Sequence, residues 1–576
     1  MTTATLLLLV PLWPLLLAVL TVVSRRRRLG GLLAGCGALP ALAVSLMAPL
    51  PGEASYAWLL LGTRFGLGEA DAIVLLFTAI VWLLASMFAR TWVRERRERF
   101  FAIFLLTMSG NFGALVAQDM PSFYACFALM SFATYGLVAH KLTREAKHAA
   151  NVYIVLVVIG EAALAAALML AAGAVGASDF VSVRAGLETA PLSQLIIALA
   201  FLGFGIKAGV LLLHVWLPLA HPVAPAPASA VLSGTVIVTG FVGWLRFLPV
   251  GEWALPGWGG ACIVLGLGAA FYGAFVGIDQ RNPKVVLAYS SISQMGIMTV
   301  GVGMLLWQPE LAEQLQLAIA FFALHHGLAK SALFLGTGLA HGALNKIQRR
   351  RLVAGLALPS LALAGAPFTS GMVAKSALAA GEAVLAEPWA GTIEHLLPLT
   401  SVATALLMAR FLFLVGQSPT ATQPPATRET WLAWWASLVL ALVLPWSLVP
   451  ATQVAWTPAL IVGSLWPLAV AFAIALIAVR SWRRAGRPAV PEIPAGDVLL
   501  PLEWLTRRVR HAAVSVADST QPLLGRMRQA AATARARAWS LVRGTGDVET
   551  VLTRWPVALT MAVLVGIVVV LITGLR

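Results

Sequence analysis

From Thr5 to Val23 the chain reads TLLLLVPLWPLLLAVLTVV without one charged residue, and stretches of this kind recur almost end to end. A membrane-crossing helix needs roughly 20 apolar residues, because the hydrocarbon layer is about 30 Å thick. Inside lipid every backbone N–H and C=O must be satisfied within the chain, so only helices and closed barrels span it. About fifteen or sixteen helix-length segments fit along the 576 residues. The expectation is an all-α polytopic membrane protein with about 16 transmembrane helices. Only 11% of its residues are charged, where a soluble chain carries about a quarter. The first segment does not read as a cleaved signal, since it lacks a basic n-region and a small-residue cleavage site and its arginines follow it.

Several function classes drop out. Cys36, Cys126 and Cys262 are scattered and form no CxxC, so no metal cluster, haem attachment or disulfide framework is expected. No phosphate-binding loop or dinucleotide fingerprint is present, so no cofactor is expected. The net charge of +16 does not point to nucleic acid. The basic residues sit in loops: SRRRR after the first segment, RTWVRERRERF after the third, HKLTREAKH after the fifth, DQRNPK after the ninth and NKIQRRR after the eleventh. Loops after even-numbered segments are neutral or acidic, as in WQPELAEQ. Positive loops stay in the cytoplasm, which predicts a periplasmic N-terminus in a bacterial inner membrane.

Residues 497–543 differ. Arg507, Arg508, Arg526 and Arg535 mix with Trp504, Trp539 and aliphatic residues, and Pro522 interrupts them. This segment is too charged to span and predicts an amphipathic helix on the cytoplasmic surface; the alternative is a solvated tail. A last span is expected over 555–575.

An ionisable side chain at mid-membrane costs about 2.5–3.5 kcal/mol on insertion scales, so each one is a functional candidate. Glu161, Lys207, His325, His326, Lys330 and Lys375 fall within apolar runs, and His214 and His221 flank a proline-rich stretch. Each has a plainer alternative. Lys375 could snorkel to an interface, His214 or His221 could cap a broken helix, and Glu161 with Lys207 could be a structural ion pair. His326 and Lys330 are four apart and share a helix face. Pro218 follows LHVWL and Pro367 precedes Lys375, and broken helices are tolerated where they line a polar cavity. The lysines and histidines then read as proton or cation stations, opened to hydration by the breaks.

The stretch GFGIKAGVLLLHVWLPLAHPVAPAPASAVLSG resembles the antiporter-like subunits of respiratory complex I and of Mrp-type Na⁺/H⁺ antiporters. NPKVVLAYSSISQMGIM (Asn282–Met298) and HHGLAKSALFLGTG (His325–Gly338) resemble two further motifs of that superfamily, in the same order. The likeness covers about residues 70 to 420. Its wording is nearest the large membrane subunit of hydrogenase-4 and formate hydrogenlyase. The resemblance implies that Lys207 is the central lysine of the seventh helix and Lys330 that of the eleventh. It makes His326 the histidine one turn before Lys330, Lys375 the exchange residue of a broken twelfth helix and Glu161 an acidic residue on the sixth. Two departures stand out. Ala128 occupies the place expected for a fifth-helix glutamate, and Ser233 and Val238 stand where an eighth-helix lysine or histidine is expected.

These readings predict two inverted five-helix repeats, at 101–250 and 256–416, each a half-channel. N-terminal helices would occupy 1–100 and further helices 429–482. The implied function is translocation of protons, with Na⁺ the second candidate, by one subunit of a multisubunit complex in the lipid bilayer. Electron chemistry would belong to hydrogenase or iron–sulfur partners. The alternatives are the proton-conducting half of an inorganic-carbon uptake system, with a large soluble zinc protein as partner, and a non-conducting scaffold.

Overall fold

Long apolar runs bounded by basic loops fold as helices crossing one layer, and the computed structural model has that form. It describes residues 3–24, 29–48, 53–382, 385, 387–417, 426–452, 454, 456–485, 493–497 and 508. Helices α1 (Thr3–Val23), α2 (Leu29–Gly37) and α3 (Leu39–Met47) precede a small antiparallel hairpin of β1 (Ala54–Tyr56) and β2 (Thr63–Phe65). Next come α4 (Glu69–Trp92), α5 (Arg97–Val116), α6 (Met120–Val138), α7 (Arg144–Val175), the short α8 (Phe180–Gly186) and α9 (Ser193–Ala208). Then follow α10 (Trp216–Val223), α11 (Ala226–Val231), α12 (Val238–Phe247), α13 (Pro256–Asp279), α14 (Pro283–Trp307) and α15 (Ala312–Ala340). The described helices end with α16 (Lys346–Ala364), α17 (Ser370–Ala379), α18 (Trp389–Gln417), α19 (Arg428–Val443) and α20 (Pro458–Ala485).

Among the described residues, 13 stretches are long and apolar enough to cross a membrane. Two more helical segments are interrupted, α9 from α10 and α16 from α17. Burial places α14 and α15 at the centre, since 100% and 94% of their apolar windows are enclosed against 11% for α20. The amphipathic helix expected over 497–543 and the span expected over 555–575 lie outside the described residues, apart from Asp497 and Arg508.

Small residues let the central helices touch. Gly259, Gly266 and Gly273 recur every seventh residue along α13. A Cβ on Gly266 would lie 2.6 Å from the Gly296 carbonyl oxygen of α14. Lipid supplies no hydrophobic drive between helices, so close backbone packing of this kind is what holds them. Between α11 and α12, Leu232–Val236 forms a π-helical turn in which Ile237 N donates to Leu232 O at 3.2 Å. Gly234 of this turn packs directly on Gly327 of α15, a Cβ there standing 2.9 Å from the Gly327 oxygen.

The first break corrects the sequence reading. It falls at Gly209–Val215, not at Pro218, which is the third residue of α10. A proline in the first turn of a helix forfeits no internal hydrogen bond. Gly209 (φ +68°) ends α9 in the left-handed conformation that glycine adopts freely. The second break lies where Pro367 predicts it, between Ala364 and Ser370, again with a left-handed glycine, Gly365 (φ +79°).

Candidate functional site

Lys207 is the penultimate residue of α9, so its ammonium stands at the negative end of a half-helix dipole. The carbonyl of Ile206, which at the break accepts from Gly209 N at 3.3 Å, also accepts from the Trp216 indole at 2.8 Å. Lys207 is 3% exposed. Its Nζ donates to the Tyr153 hydroxyl at 2.9 Å and lies 5.2 Å and 5.7 Å from the ring centres of Tyr153 and Phe127. Tyr153 in turn donates to the Ser131 carbonyl at 2.9 Å.

A structural ion pair of Lys207 with Glu161 was one alternative from the sequence; the direct partner of the lysine is this tyrosine. No ion pair within 4.0 Å joins the two among the described residues, and Glu161 Oε2 is buried without a hydrogen bond. Ala128 is half-buried, and the α6 side chain that meets the lysine is its neighbour Phe127. Aromatic faces hold an ammonium through the ring quadrupole, which answers the absence of a carboxylate at Ala128.

The middle of the bundle holds a hydrogen-bonded file. Ser233 Oγ and Ser291 Oγ are 2.7 Å apart, Ser291 Oγ donates to Leu287 O at 3.0 Å, and Lys330 Nζ donates to the same oxygen at 2.8 Å. Ser291 has one hydroxyl hydrogen and spends it on Leu287, so Ser233 is the donor of the first bond. Of the two positions where the resemblance predicted a lysine or histidine, Ser233 is the one that meets Ser291, while Val238 is buried and apolar. His326, one turn before Lys330, is fully buried and neither ring nitrogen has a partner. His221 of α10 stacks on Phe334 at 4.6 Å, also with both nitrogens unpaired. His214 lies in the first break, equally buried and unpaired in hydrogen bonds.

The second break makes a third cluster. His325 Nδ1 meets Ser370 Oγ at 2.8 Å, and Lys375 Nζ donates to Ser401 Oγ at 2.8 Å. Lys375 lines a cavity of about 270 Å³ with Ser376, Glu382, Glu394 and Ser401. Burial and the nearby Glu394 push the Glu382 carboxyl, which lies in the loop beyond α17, up to about 7. A larger cavity of about 550 Å³ gathers Thr91–Glu95, His140, Lys141, Asn282, Lys284, His341 and Thr427. The loops that follow α4, α6, α13, α15 and α18 therefore meet at one end of the bundle. Burial, with Arg99 and Arg96, pushes the His140 imidazole down to about 4, so it is neutral near pH 7.

The sequence singled out the charges in apolar runs, and the structure divides them into three clusters. It missed Tyr153, Ser291, Ser401 and Glu382. Ser291 was visible in the SSISQ stretch and Ser401 in LTSVA, but hydroxyls are too common in membrane helices to stand out.

Comparison with known proteins fits this geometry. Residues 117–392 match the family NADH:quinone oxidoreductase/Mrp antiporter, transmembrane. The chain is 31% identical over 284 residues to hydrogenase-4 component B of Escherichia coli K12, covering 46% of this chain and 42% of the relative. It is 30% identical over 274 residues to formate hydrogenlyase subunit 3 of the same organism, covering 46% and 44%. The chain thus spans less than half the length of these curated relatives. A chain of the Mrp complex from Dietzia sp. DQ12-45-1b shares the fold, with a TM-score of 0.74 at 20% identity over 99% of this chain and 63% of that one. The helices around Lys207 and Lys330 lie within the matched residues 117–392, and that part of the chain is similar to the transmembrane family of NADH:quinone oxidoreductase and Mrp antiporter subunits.

Proposed function

We propose that this chain is a proton-translocating subunit of a multisubunit membrane complex, with Na⁺ the second candidate ion, coupled to a redox module such as a membrane hydrogenase. The observation that carries this reading is Lys330, a fully buried amine at the centre of the bundle, whose Nζ donates to the same Leu287 oxygen on which the Ser233–Ser291 pair ends, so that hydroxyls and amine gather at one point. Lys207 with Tyr153 and Glu161 forms the first station, Lys330 with His326 the second, and Lys375 with His325 the third. His214 and His221 serve the first break. Lys207, Lys330, Lys375 and His325 are held by neutral hydroxyls, carbonyls or rings. Such surroundings leave each free to take or release a proton without breaking a tight ion pair.

The repeat assignment supports the same reading. Over 101–250 and over 256–416 the fourth membrane segment is the broken one, α9/α10 in the first and α16/α17 in the second. Transporters built from inverted repeats place their sites at such paired breaks. The meeting of the basic loops at one end favours a cytoplasmic placement of that end, a periplasmic N-terminus and residence in the inner membrane. The names of the two E. coli relatives favour a hydrogenase-type partner.

The test is proton flux into vesicles reconstituted with the complex. Lys330→Ala should abolish flux while assembly is retained; undiminished flux overturns the proposal. Partners recovered in mild detergent then separate the coupling modes. Nickel–iron and iron–sulfur subunits support a redox-driven pump. A single large zinc protein would instead make the chain the proton-conducting half of a carbon-uptake system.

A further inference from the structure

The segment Ile493–Asp497, which follows the last described helix, turns back into the bundle. Ile493 N donates to Asp279 Oδ2 at 3.0 Å, and Gln280 Nε2 donates to Ile493 O at 2.9 Å. These bonds fix the segment to the hinge between α13 and α14. Gly496 (φ +75°) rests on Leu219 of α10, where an added Cβ would stand 3.0 Å from Leu219 Cγ. From there Asp497 reaches Tyr272 and Tyr289, each about two turns inside its helix. Seven residues separate Asp279 from Tyr272, a depth of about 10 Å at 1.5 Å per residue. Both tyrosine hydroxyls donate to the carboxylate, Tyr289 at 3.0 Å.

The same carboxylate faces the first break. Asp497 Oδ1 lies 4.0 Å from His214 Nε2, with 15% of the aspartate side chain exposed and none of the histidine. The His214 ring packs against Tyr272 with centroids 5.3 Å apart, and neither of its nitrogens has a hydrogen bond. A buried imidazole without a partner is costly. Here it is aimed at a carboxylate that is itself held by two phenols. Tertiary structure thus brings an acid to the first half of the bundle, where α6 supplies none at Ala128.

We propose that Asp497 is a proton-carrying group of the path, exchanging a proton with His214 and connecting the break after α9 to the end of the bundle where the basic loops meet. The step balances simply. The carboxyl O–H bond of Asp497 breaks and an N–H bond forms at His214 Nε2, leaving a carboxylate and an imidazolium. The imidazolium then releases its Nδ1 proton to a water in the break. The two unpaired nitrogens suit this relay, since one accepts as the other donates. The separation of 4.0 Å closes by a small side-chain rotation, as resting proton-transfer contacts commonly do. This inference rests on the proton-translocation reading.

The experiment measures proton flux of the reconstituted full-length complex carrying Asp497→Asn, Asp497→Glu, His214→Gln, the double variant Asp497→Asn/His214→Gln, or Lys330→Ala. Asp497→Asn and His214→Gln should each cut flux at least tenfold, and the double variant no further than the worse single, because both serve one step. Asp497→Glu should keep more than a tenth of wild-type flux. A merely structural aspartate predicts the opposite: losses that multiply in the double variant, and Glu no better than Asn. Wild-type flux in Asp497→Asn beside a dead Lys330→Ala overturns this inference and leaves the proton reading standing. Wild-type flux in both removes the proton reading itself. If Asp497→Asn fails to assemble, Asp497→Glu and His214→Gln decide: a glutamate variant that assembles without flux overturns the role, as does an undiminished His214→Gln.

Discussion

Ser291→Ala isolates the central file from the charges at its ends. The substitution removes one hydroxyl hydrogen and one acceptor, leaving Ser233 Oγ without the partner it meets at 2.7 Å in a fully buried setting. A buried hydroxyl deprived of its partner costs about 1–3 kcal/mol. If a proton passes between Ser291 and Lys330, the two donors that share the Leu287 oxygen, that cost enters the barrier for the transfer. At about 1.4 kcal/mol per factor of ten, flux should fall roughly 5- to 150-fold. Lys330 keeps its bond to Leu287 O, so the lysine stays seated and the loss is not one of charge. The assay is acidification of a pH-sensitive dye inside vesicles, normalised to the amount of assembled complex. Ser291→Thr retains the hydroxyl and should retain most of the flux. Wild-type flux from Ser291→Ala, in preparations where Lys330→Ala is inactive, would show that protons reach Lys330 by another way.

Two further outcomes follow from groups away from the file. Arg246 donates to the carbonyls of Ala114 and Ala117 at 2.7 Å and 2.5 Å and to that of Leu115, and pairs with Asp71 at 3.0 Å. Arg246→Met strips these bonds from the C-terminal end of α5 and should destabilise the fold by about 3–5 kcal/mol, as breaking a buried pair does; an unchanged apparent Tm in detergent would refute this. Glu382 has its folded-state pKa raised to about 7 from a usual 4.5, first by burial and then by Glu394. Folding therefore favours its protonated form, and stability falls as pH rises from about 4.5 to about 7 and then levels off. Glu382→Gln should flatten both this slope and any inflection of flux near pH 7, and an unaltered pH profile would remove Glu382 from the exchange cavity.

The crossings were legible because their signal is long and redundant, some 20 apolar residues each between basic loops. So was the stretch holding the buried lysines, since a charge inside such a run is conspicuous. Partners were not. Tyr153 meets Lys207 across 54 residues and Asp497 meets Tyr272 across 225, and nothing in local pattern encodes such pairings. At α6 the sequence drew attention to Ala128, and nothing in it marked the neighbouring Phe127, whose ring lies near the lysine. Pro218 misled because proline is a breaker only inside a helix, and it is Gly209 that ends α9, by its backbone conformation. Pro367 succeeded because it sits directly in the loop it predicts.

The π turn at Leu232–Val236 has a consequence in counting. It inserts one residue relative to a regular helix, and one residue is about 100° of rotation. At its start Ser233, the second residue of the turn, meets Ser291; beyond it Thr239 accepts from Asn111 Nδ2 at 2.7 Å and Arg246 reaches the end of α5. The turn acts as a phase shifter between these two faces. With one residue fewer, no choice of side chains would let both ends keep their bearings, so what this segment preserves is a number of residues as much as a set of chemical groups.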